Sequence, residues 1–107
     1  MRRTLCYDDV LLIPKYSDIR SRSEIDISVD LGKQVVLDVP IIASPMDTIS
    51  EKEMAAAMSD CGGVAVIHRY NTIEEQARLI NEAKDASSNL KIGAAIGISG
   101  DYLNRAA

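Results

Sequence analysis

The sequence predicts a parallel α/β fold, and three observations support this prediction. From Pro40 onward, short apolar runs alternate with segments of helical periodicity. Helix-start signals follow the first two runs, and glycines or a Ser/Asn cluster end the helices. The resulting order βαβαβα calls for a parallel sheet with right-handed crossovers. A doubly wound sheet and a (β/α)8 barrel both satisfy this order, and the pattern alone does not choose between them.

The first part of the chain reads differently from the rest. Residues 1–39 are predicted to form an N-terminal arm that packs on the α/β part, residues 40–107. Short β-like runs in the arm are Val10–Ile13, Ile25–Val29 and Gln34–Leu37, punctuated by Pro14, Gly32 and Pro40. Lys15 to Ser23, rich in Ser, Asp and Arg, is predicted to be an exposed connector.

The first strand and helix of the α/β part have clear boundaries in the sequence. Pro40–Ser44 is a short apolar run suited to burial on both faces of a sheet. Ser50 and Glu53 have the spacing of a capping box, which predicts the start of a helix. The apolar face of this helix is predicted from Met54, Met58 and Cys61, and Gly62–Gly63 is predicted to end it.

A second and a third unit follow with the same pattern. Val64–Ile67 is the second predicted strand, and Thr72 with Glu75 forms a second capping box. The second helix has apolar positions at helical spacing, namely Ile73, Ala77, Ile80 and Ala83, and a charged face made of Glu74, Glu75, Arg78 and Glu82. Ser87–Asn89 is predicted to end that helix, Ile92–Gly97 to form the third strand, and a third helix to begin near Asp101.

Composition excludes several classes of function. The chain has 107 residues, 47% of them hydrophobic, which is enough for one modest core. Twelve basic and sixteen acidic residues give a net charge of −4 without a basic stripe, so nucleic acid is not an expected partner. Its longest apolar runs are far below the roughly 20 residues that cross a bilayer, and a secretory signal is missing, so we expect no membrane partner and a cytoplasmic location.

The two cysteines are predicted to be structural thiols. Cys6 and Cys61 lack the spacing of a metal site or of a redox pair, and neither lies in a setting that activates a nucleophile. No metal ligand is therefore predicted in this sequence.

The loop after the first strand is the best candidate for a ligand site. Parallel α/β proteins bind ligands at the carboxyl ends of their strands. In this loop Ser44 and Thr48 offer hydroxyls, Asp47 offers a carboxylate, and Pro45 stiffens the backbone that presents Met46. The Met46 thioether suits a flat, partly apolar ligand such as a base or ring. The alternative is a structural strand-to-helix turn, with Met46 in the core and Asp47 near the helix N-terminus.

The loops after the second and third strands are weaker candidates. His68 and Arg69 form a cationic pair at a strand end, where they could meet a phosphate or a carboxylate. The alternative is a hydrogen-bonded packing histidine and a surface arginine. Gly93, Gly97 and Gly100 lack the spacing of a phosphate-cradling GxGxxG, so they are interpreted as turn and packing glycines.

Four separate segments resemble the start of the inosine-5'-monophosphate dehydrogenase family, and a fifth continues the match. These segments are Tyr7–Ser17 (YDDVLLIPKYS), Pro40–Thr48 (PIIASPMDT), Gly62–Arg69 (GGVAVIHR), Ile73–Gln76 (IEEQ) and Lys91–Gly97 (KIGAAIG). They occur in the order of the family and cover nearly the whole chain. The resemblance implies a (β/α)8 TIM barrel, here represented by the N-terminal arm and about the first three βα units.

The resemblance also implies an activity and its participants. The family oxidises inosine monophosphate (IMP) with NAD to xanthosine monophosphate, through a covalent adduct on a cysteine. By motif, Ser44 and Met46 would contact the purine nucleotide, with Met46 beside the hypoxanthine. Leu12–Pro14 resembles the arm that approaches the dinucleotide of a neighbouring subunit, which makes Pro14 a cofactor-binding candidate and implies a homo-oligomer. Asp47 also matches the motif and is assigned a local structural role.

Two departures from the family define the open alternatives. The join from Lys84 to Leu90 is too short for the regulatory CBS modules of most members, and GMP reductase, the relative that reduces GMP with NADPH, also lacks them. Ser21–Asp26 is closer to the reductase, whereas Pro45-Met46, Gly62–Gly63 and Ile73–Gln76 favour the dehydrogenase.

The second departure concerns what lies beyond Ala107 in the family, namely the phosphate loops, the catalytic cysteine loop, the flap and any monovalent cation site. We therefore expect no catalytic residue in this sequence and no turnover from this polypeptide alone. A non-catalytic protein that pairs with another barrel segment is the third alternative.

Overall fold

The computed structural model describes residues 3–33, 35–87 and 90–107. Its centre is a three-stranded parallel sheet of Ile42–Ala43 (β3), Val64–Ile67 (β4) and Ile92–Ala94 (β5), in the order β3-β4-β5. A separate antiparallel pair, Val29–Asp30 (β1) and Val36–Leu37 (β2), precedes it. The helices are Lys52–Asp60 (α1), Ile73–Ala86 (α2) and Tyr102–Ala106 (α3). The parallel α/β order is confirmed, and the described strands form an open sheet rather than a closed barrel.

The sheet register places the strand ends side by side. Ala43 pairs with Ala65 between β3 and β4. Ile67 pairs with Ala94 between β4 and β5. Since the strands are parallel, the segments that leave β3, β4 and β5 all emerge at one edge of the sheet, as expected for a ligand-binding edge.

The core lies between the sheet and helices α1 and α2. Its buried cluster consists of Ala55, Ala65, Ile67, Leu79 and Ala83. Met54, Met58 and Ile80 pack against it as predicted. Cys61 is exposed, so the prediction that it continues the apolar face of α1 is wrong.

Helix α1 does not begin with the predicted capping box. Its N-cap is Glu51, whose side chain makes no capping hydrogen bond. The Ser50 hydroxyl donates to the carbonyl oxygen of Ser44 instead, which closes the preceding turn rather than capping the helix. The other end follows the prediction, because the amides of Gly62 and Gly63 donate to the carbonyls of Ser59 and Met58 in a Schellman motif.

Helix α2 begins as predicted but buries a different face. The Glu75 amide donates to the Thr72 hydroxyl at 3.1 Å, which confirms one half of the second capping box. The residues buried by α2 are Gln76, Leu79 and Ala83, whereas Ala77 is exposed. The prediction for Ala77 is wrong because a buried polar residue, Gln76, occupies the sheet-facing position. The helix ends at Ala86 with Ser87 as its C-cap, and the rest of the predicted break, Ser88 and Asn89, lies outside the described residues.

Three strand predictions are corrected by the structure. Val10–Ile13 is not a strand, since Leu11 and Leu12 are 95% and 98% exposed and the described residues 3–28 are all exposed. The prediction that this stretch of the arm packs on the α/β part is therefore wrong, because its apolar side chains find no partner in the described chain. Ile25–Val29 contributes only Val29 to β1, and β5 ends at Ala94 rather than Gly97. Gln34, the first residue of the third predicted arm run, lies outside the described residues.

Candidate functional site at the carboxyl edge of the sheet

The segment after β3 is a closed turn that presents its side chains outward. The amides of Ile49 and Ser50 donate to the Met46 carbonyl oxygen at 3.3 and 2.9 Å, and the Ser50 hydroxyl binds the Ser44 carbonyl. Ser50 is 1% exposed, whereas Met46 is 49% exposed. The alternative in which Met46 packs in the core is therefore not what the structure shows. The sequence did not predict that Ser50 closes this turn, because the spacing of Ser50 and Glu53 is that of a helix capping box.

Thr48 gives this turn an unusual backbone. Its φ is +59°, in the left-handed region that β-branched residues rarely adopt. The surrounding hydrogen bonds must offset the cost of this conformation, which is of order 1–3 kcal/mol. In this turn Ser44, Asp47 and Thr48 are all exposed.

His68, at the end of β4, is turned into the protein. Its side chain is 3% exposed, and Nδ1 accepts a hydrogen bond from the Tyr70 amide at 3.2 Å. Nε2 lies 3.3 Å from Oε1 of Glu51 and 3.9 Å from Oδ1 of Asp47. Both ring nitrogens are thus engaged within the chain, and the imidazole joins the end of β4 to the segment after β3.

Arg69 extends over the loop that follows β5. The residue is exposed, and a Cβ added to Gly97 would lie 3.4 Å from its Nη1 atom. The guanidinium therefore lies against the Gly97 backbone, which agrees with the interpretation of Gly97 as a packing glycine. It places a positive charge at the same edge of the sheet as Met46 and His68.

Gln76 and Arg105 hold the ends of β4 and β5, and sequence reasoning missed both. The Gln76 amide nitrogen donates to the carbonyls of His68 and Ala95 at 3.1 and 3.0 Å, and Arg105 Nη1 donates to Oε1 of Gln76 at 3.0 Å. Gln76 is 3% exposed. The signal that could have found it is a glutamine three residues before Leu79, on the face that must be buried.

The part of the arm around Pro14 does not contribute to this edge of the sheet. Pro14 is exposed, and its neighbours Leu12 and Ile13 are 98% and 84% exposed. Among the described residues, no hydrogen bond links residues 10–17 to the sheet or its loops. The structure thus brings Ser44, Met46, Asp47, His68 and Arg69 to one edge and leaves Pro14 outside it.

Most of the resolved electrostatic effects involve charged side chains of helices α1 and α2, and one lies in the arm, where hydrogen bonds from Ser28 lower the pKa of Asp26. Lys52 Nζ donates to Oε2 of Glu82 at 2.6 Å, which lowers the pKa of the Glu82 carboxyl and raises the pKa of Lys52. Arg78 pairs with Glu75 and Glu82 along α2, and its hydrogen bond lowers the pKa of Glu75. This network is structural in character, because it links two helices away from the strand-end side chains.

Across residues 3–33, 35–87 and 90–107, no three His, Cys, Asp or Glu side chains are grouped to hold a metal ion. None of the helices in the described part of the chain combines the length and apolar character that a bilayer span requires.

The fold places the chain in the parallel α/β class, whose members bind ligands at the carboxyl ends of their strands. The family profile described as IMP dehydrogenase / GMP reductase domain matches residues 4–107. The chain therefore belongs to the IMP dehydrogenase / GMP reductase family.

Similar proteins include both branches of this family. The inosine-5'-monophosphate dehydrogenase of Nitrosopumilus maritimus is 45% identical over 84 residues, which are 78% of this chain and 18% of that protein. The GMP reductase of Leishmania donovani is 44% identical over 86 residues, 80% of this chain and 18% of the reductase. The Staphylococcus aureus inosine-5'-monophosphate dehydrogenase is 42% identical over 89 residues, 83% of this chain and 18% of that enzyme. The chain thus spans about a fifth of the length of the curated relatives that it matches.

Proposed function

We propose that this chain supplies a purine-nucleotide contact of an IMP dehydrogenase-like oxidoreductase, through Ser44 and Met46. The observation that carries the proposal is the closed turn after β3, which holds Met46 half exposed at the carboxyl edge of the sheet. A thioether in that position suits stacking against a purine ring. The exposed Ser44 hydroxyl beside it is a donor and acceptor for a polar group of the nucleotide.

The substrate proposed is IMP, oxidised with NAD to xanthosine monophosphate. Identities of 45% to a dehydrogenase and 44% to a reductase do not separate the two branches. The motif residues Pro45-Met46 and Ile73–Gln76 favour the dehydrogenase. Reduction of GMP with NADPH is the second candidate, supported by Ser21–Asp26 and the short join between α2 and β5, where Ser87 binds Asp60 at 3.0 Å.

The complete site is proposed to be the top of a (β/α)8 barrel that this chain forms only in part. Three parallel strands cannot surround a ligand, since a closed barrel of this type needs eight. We therefore expect no turnover from the 107-residue polypeptide by itself. Its proposed partner is a further barrel segment, within a homo-oligomer as the family resemblance implies. The remaining alternative is a non-catalytic protein that pairs with another barrel segment. The exposed apolar side chains of the arm favour this alternative.

The proposed dinucleotide contact at Pro14 has little structural support. The described residues around Pro14 are exposed on all sides and form no cradle for a cofactor. No step of the chemistry is therefore assigned to NAD through this chain. Asp47, His68 and Arg69 remain secondary candidates at the carboxyl edge.

A cytoplasmic location is also proposed. Cys6 and Cys61 are both free thiols, which suits a reducing compartment.

The experiment that tests the proposal is a chimeric enzyme. The matching segment of the N. maritimus IMP dehydrogenase is replaced by the corresponding residues of this chain, and NADH production from IMP is measured. Met46→Ala in this chimera should raise the KM for IMP about tenfold, because an apolar ring contact of about 1.4 kcal/mol is lost.

The matched control is Ile49→Ala, since Ile49 lies in the same turn and is 48% exposed. It should leave the KM within about twofold, as expected for a side chain without a ligand contact. An equal effect of both substitutions, or of neither, would contradict the assignment of Met46. A chimera that reduces GMP with NADPH but does not oxidise IMP would establish the second candidate.

A further inference from the structure

His68 is a buried histidine whose two nitrogens have different, defined roles. The residue is 2% exposed at the end of β4. Because Nδ1 accepts from the Tyr70 amide at 3.2 Å, Nδ1 carries no proton. The ring proton is then on Nε2, which donates to Oε1 of Glu51 at 3.3 Å. Such a bond fixes both the tautomer and the ring orientation.

Glu51 connects this imidazole to the ligand-facing turn. It is the N-cap residue of α1 and makes no capping bond, so its carboxylate is available to His68. It directly follows Ser50, whose hydroxyl closes the turn on the Ser44 carbonyl. Asp47, within the turn, lies 3.9 Å from the same Nε2 atom. Among the described residues, Asp47 and Glu51 are the carboxylates with an oxygen within 4.0 Å of a ring nitrogen.

The turn needs such an anchor because its own conformation is costly. Thr48 has a φ of +59°, and most of the turn is exposed. Hydrogen bonds inside the turn close it on itself, whereas the contact between His68 and Glu51 attaches it to a core strand. A strained backbone persists only where surrounding contacts determine it.

We propose that His68 is a positioning residue that fixes the turn Ser44–Thr48 to the end of β4 through its Nε2–H bond to Glu51. The inference rests on the proposed function, because it states how the chain holds the turn assigned to the nucleotide. It gives His68 a role through Glu51 and not through direct contact with the ligand.

The test uses side chains that each reproduce one nitrogen of the ring. His68→Gln places an amide N–H near the Nε2 position, His68→Asn places an acceptor near the Nδ1 position, and His68→Ala keeps neither. Amide hydrogen exchange of Ile49 and Ser50 is measured by NMR in the full 107-residue chain without ligand. No nucleotide enters the measurement, so its outcome is separate from the success or failure of the proposed function.

The proposal predicts different exchange rates for the glutamine variant and for the other two variants of His68. In His68→Asn and His68→Ala the two amides should exchange about tenfold faster, and in His68→Gln within about twofold of the parent, as expected for one anchoring hydrogen bond. Equal exchange in all four proteins, or equal acceleration by glutamine and asparagine, would overturn the proposal.

A second pair of variants decides the matter if the His68 variants do not fold. Glu51→Gln keeps an acceptor for Nε2–H, and Glu51→Ala removes it at a side chain that is 39% exposed. Glu51→Ala should accelerate exchange of the Ser50 amide and Glu51→Gln should not. Glu53→Ala, at a side chain that is 76% exposed, is the matched control. Unchanged exchange in Glu51→Ala would overturn the proposal.

Discussion

Gln76 shows how much a single side chain contributes to this edge of the sheet. Its amide nitrogen donates to carbonyls at the ends of β4 and β5, and its oxygen accepts from Arg105 on α3. The buried Gln76 amide therefore connects the ends of β4 and β5 with helix α3. Arg105 extends the connection, because Nη2 also donates to the carbonyl of Asn71 at 3.0 Å.

Replacing Gln76 with leucine should destabilise the chain by about 1–3 kcal/mol, since it leaves buried carbonyls without a donor while keeping the side-chain volume. The measurement is the free energy of unfolding in urea. Glu74→Ala, on the exposed side of the same helix turn, is the control and should change that free energy by less than about 0.5 kcal/mol. Equal losses for the two variants would show that the Gln76 bonds contribute little.

At the level of single residues, the sequence left two readings for Met46, one in an exposed turn and one in the core. The structure shows the exposed turn, and the contact with a ligand stays a prediction. For His68 the sequence offered a hydrogen-bonded packing histidine as the alternative to a ligand contact, and the buried ring agrees with that alternative. Its partners were not predictable, because Glu51 and Tyr70 are brought to the ring by two different loops. Position along a strand does not determine such contacts.

Two glycines with left-handed backbones, Gly62 and Gly32, differ in their surroundings. Helix α1 stops in a Schellman motif at Gly62, whose φ is +85° and whose added Cβ would lie 2.9 Å from the Cβ of Asp38. Gly32 has nearly the same φ, +88°, with nothing within 4 Å of an added Cβ. A comparison of alanine substitutions at these two glycines therefore distinguishes the cost of the left-handed backbone from the cost of a steric clash.

Gly62→Ala should lower the free energy of unfolding more than Gly32→Ala does. Both variants share the left-handed strain of about 1 kcal/mol, and Gly62→Ala adds a clash with Asp38. Thermal or urea unfolding of the two variants measures the difference. If Gly32→Ala were the more destabilising variant, the close packing of Gly62 against Asp38 would be refuted.

The ion pair between α1 and α2 predicts a pH dependence of stability. Glu82 has a pKa below its ordinary value of 4.5 because of Lys52 and Arg78. Its contribution is therefore present above the pKa of the unfolded chain and is lost as the pH falls through the folded-state pKa. Glu82→Gln should lower the melting temperature at pH 7 and match the parent well below pH 4. A difference that persists in strong acid would contradict this account.

At the level of elements, local signals predicted most boundaries. Thr72 and Gly62–Gly63 act through bonds to neighbouring residues, so the sequence contains all that they need. Ser50 differs because its hydroxyl finds the Ser44 carbonyl, six residues away, and the cap is lost. The buried face of α2 was misplaced at Ala77 because Gln76 is buried by hydrogen bonds that hydrophobic periodicity does not contain.

At the scale of the whole molecule, the described residues form an open three-stranded parallel sheet packed against α1 and α2, and not a closed barrel. Its sheet has three strands, and the described residues 3–28 of the arm lie exposed, with Leu11 and Leu12 among them. Alternating strands and helices were predictable, because each strand-helix unit has its own local sequence signals. Packing of the arm was not, because an apolar run such as Val10–Ile13 indicates burial without indicating the partner that supplies it.

The central claim is that the turn Ser44–Thr48 contacts a purine nucleotide, and an NMR titration of the 107-residue chain with IMP tests it most directly. With one wall of a pocket, we expect weak binding, with a Kd on the order of 1 mM. The largest amide shift changes should fall on residues 44–50, and Met46→Ala should reduce them. Changes centred elsewhere in the chain, or changes on the turn that survive Met46→Ala in full, would contradict the account.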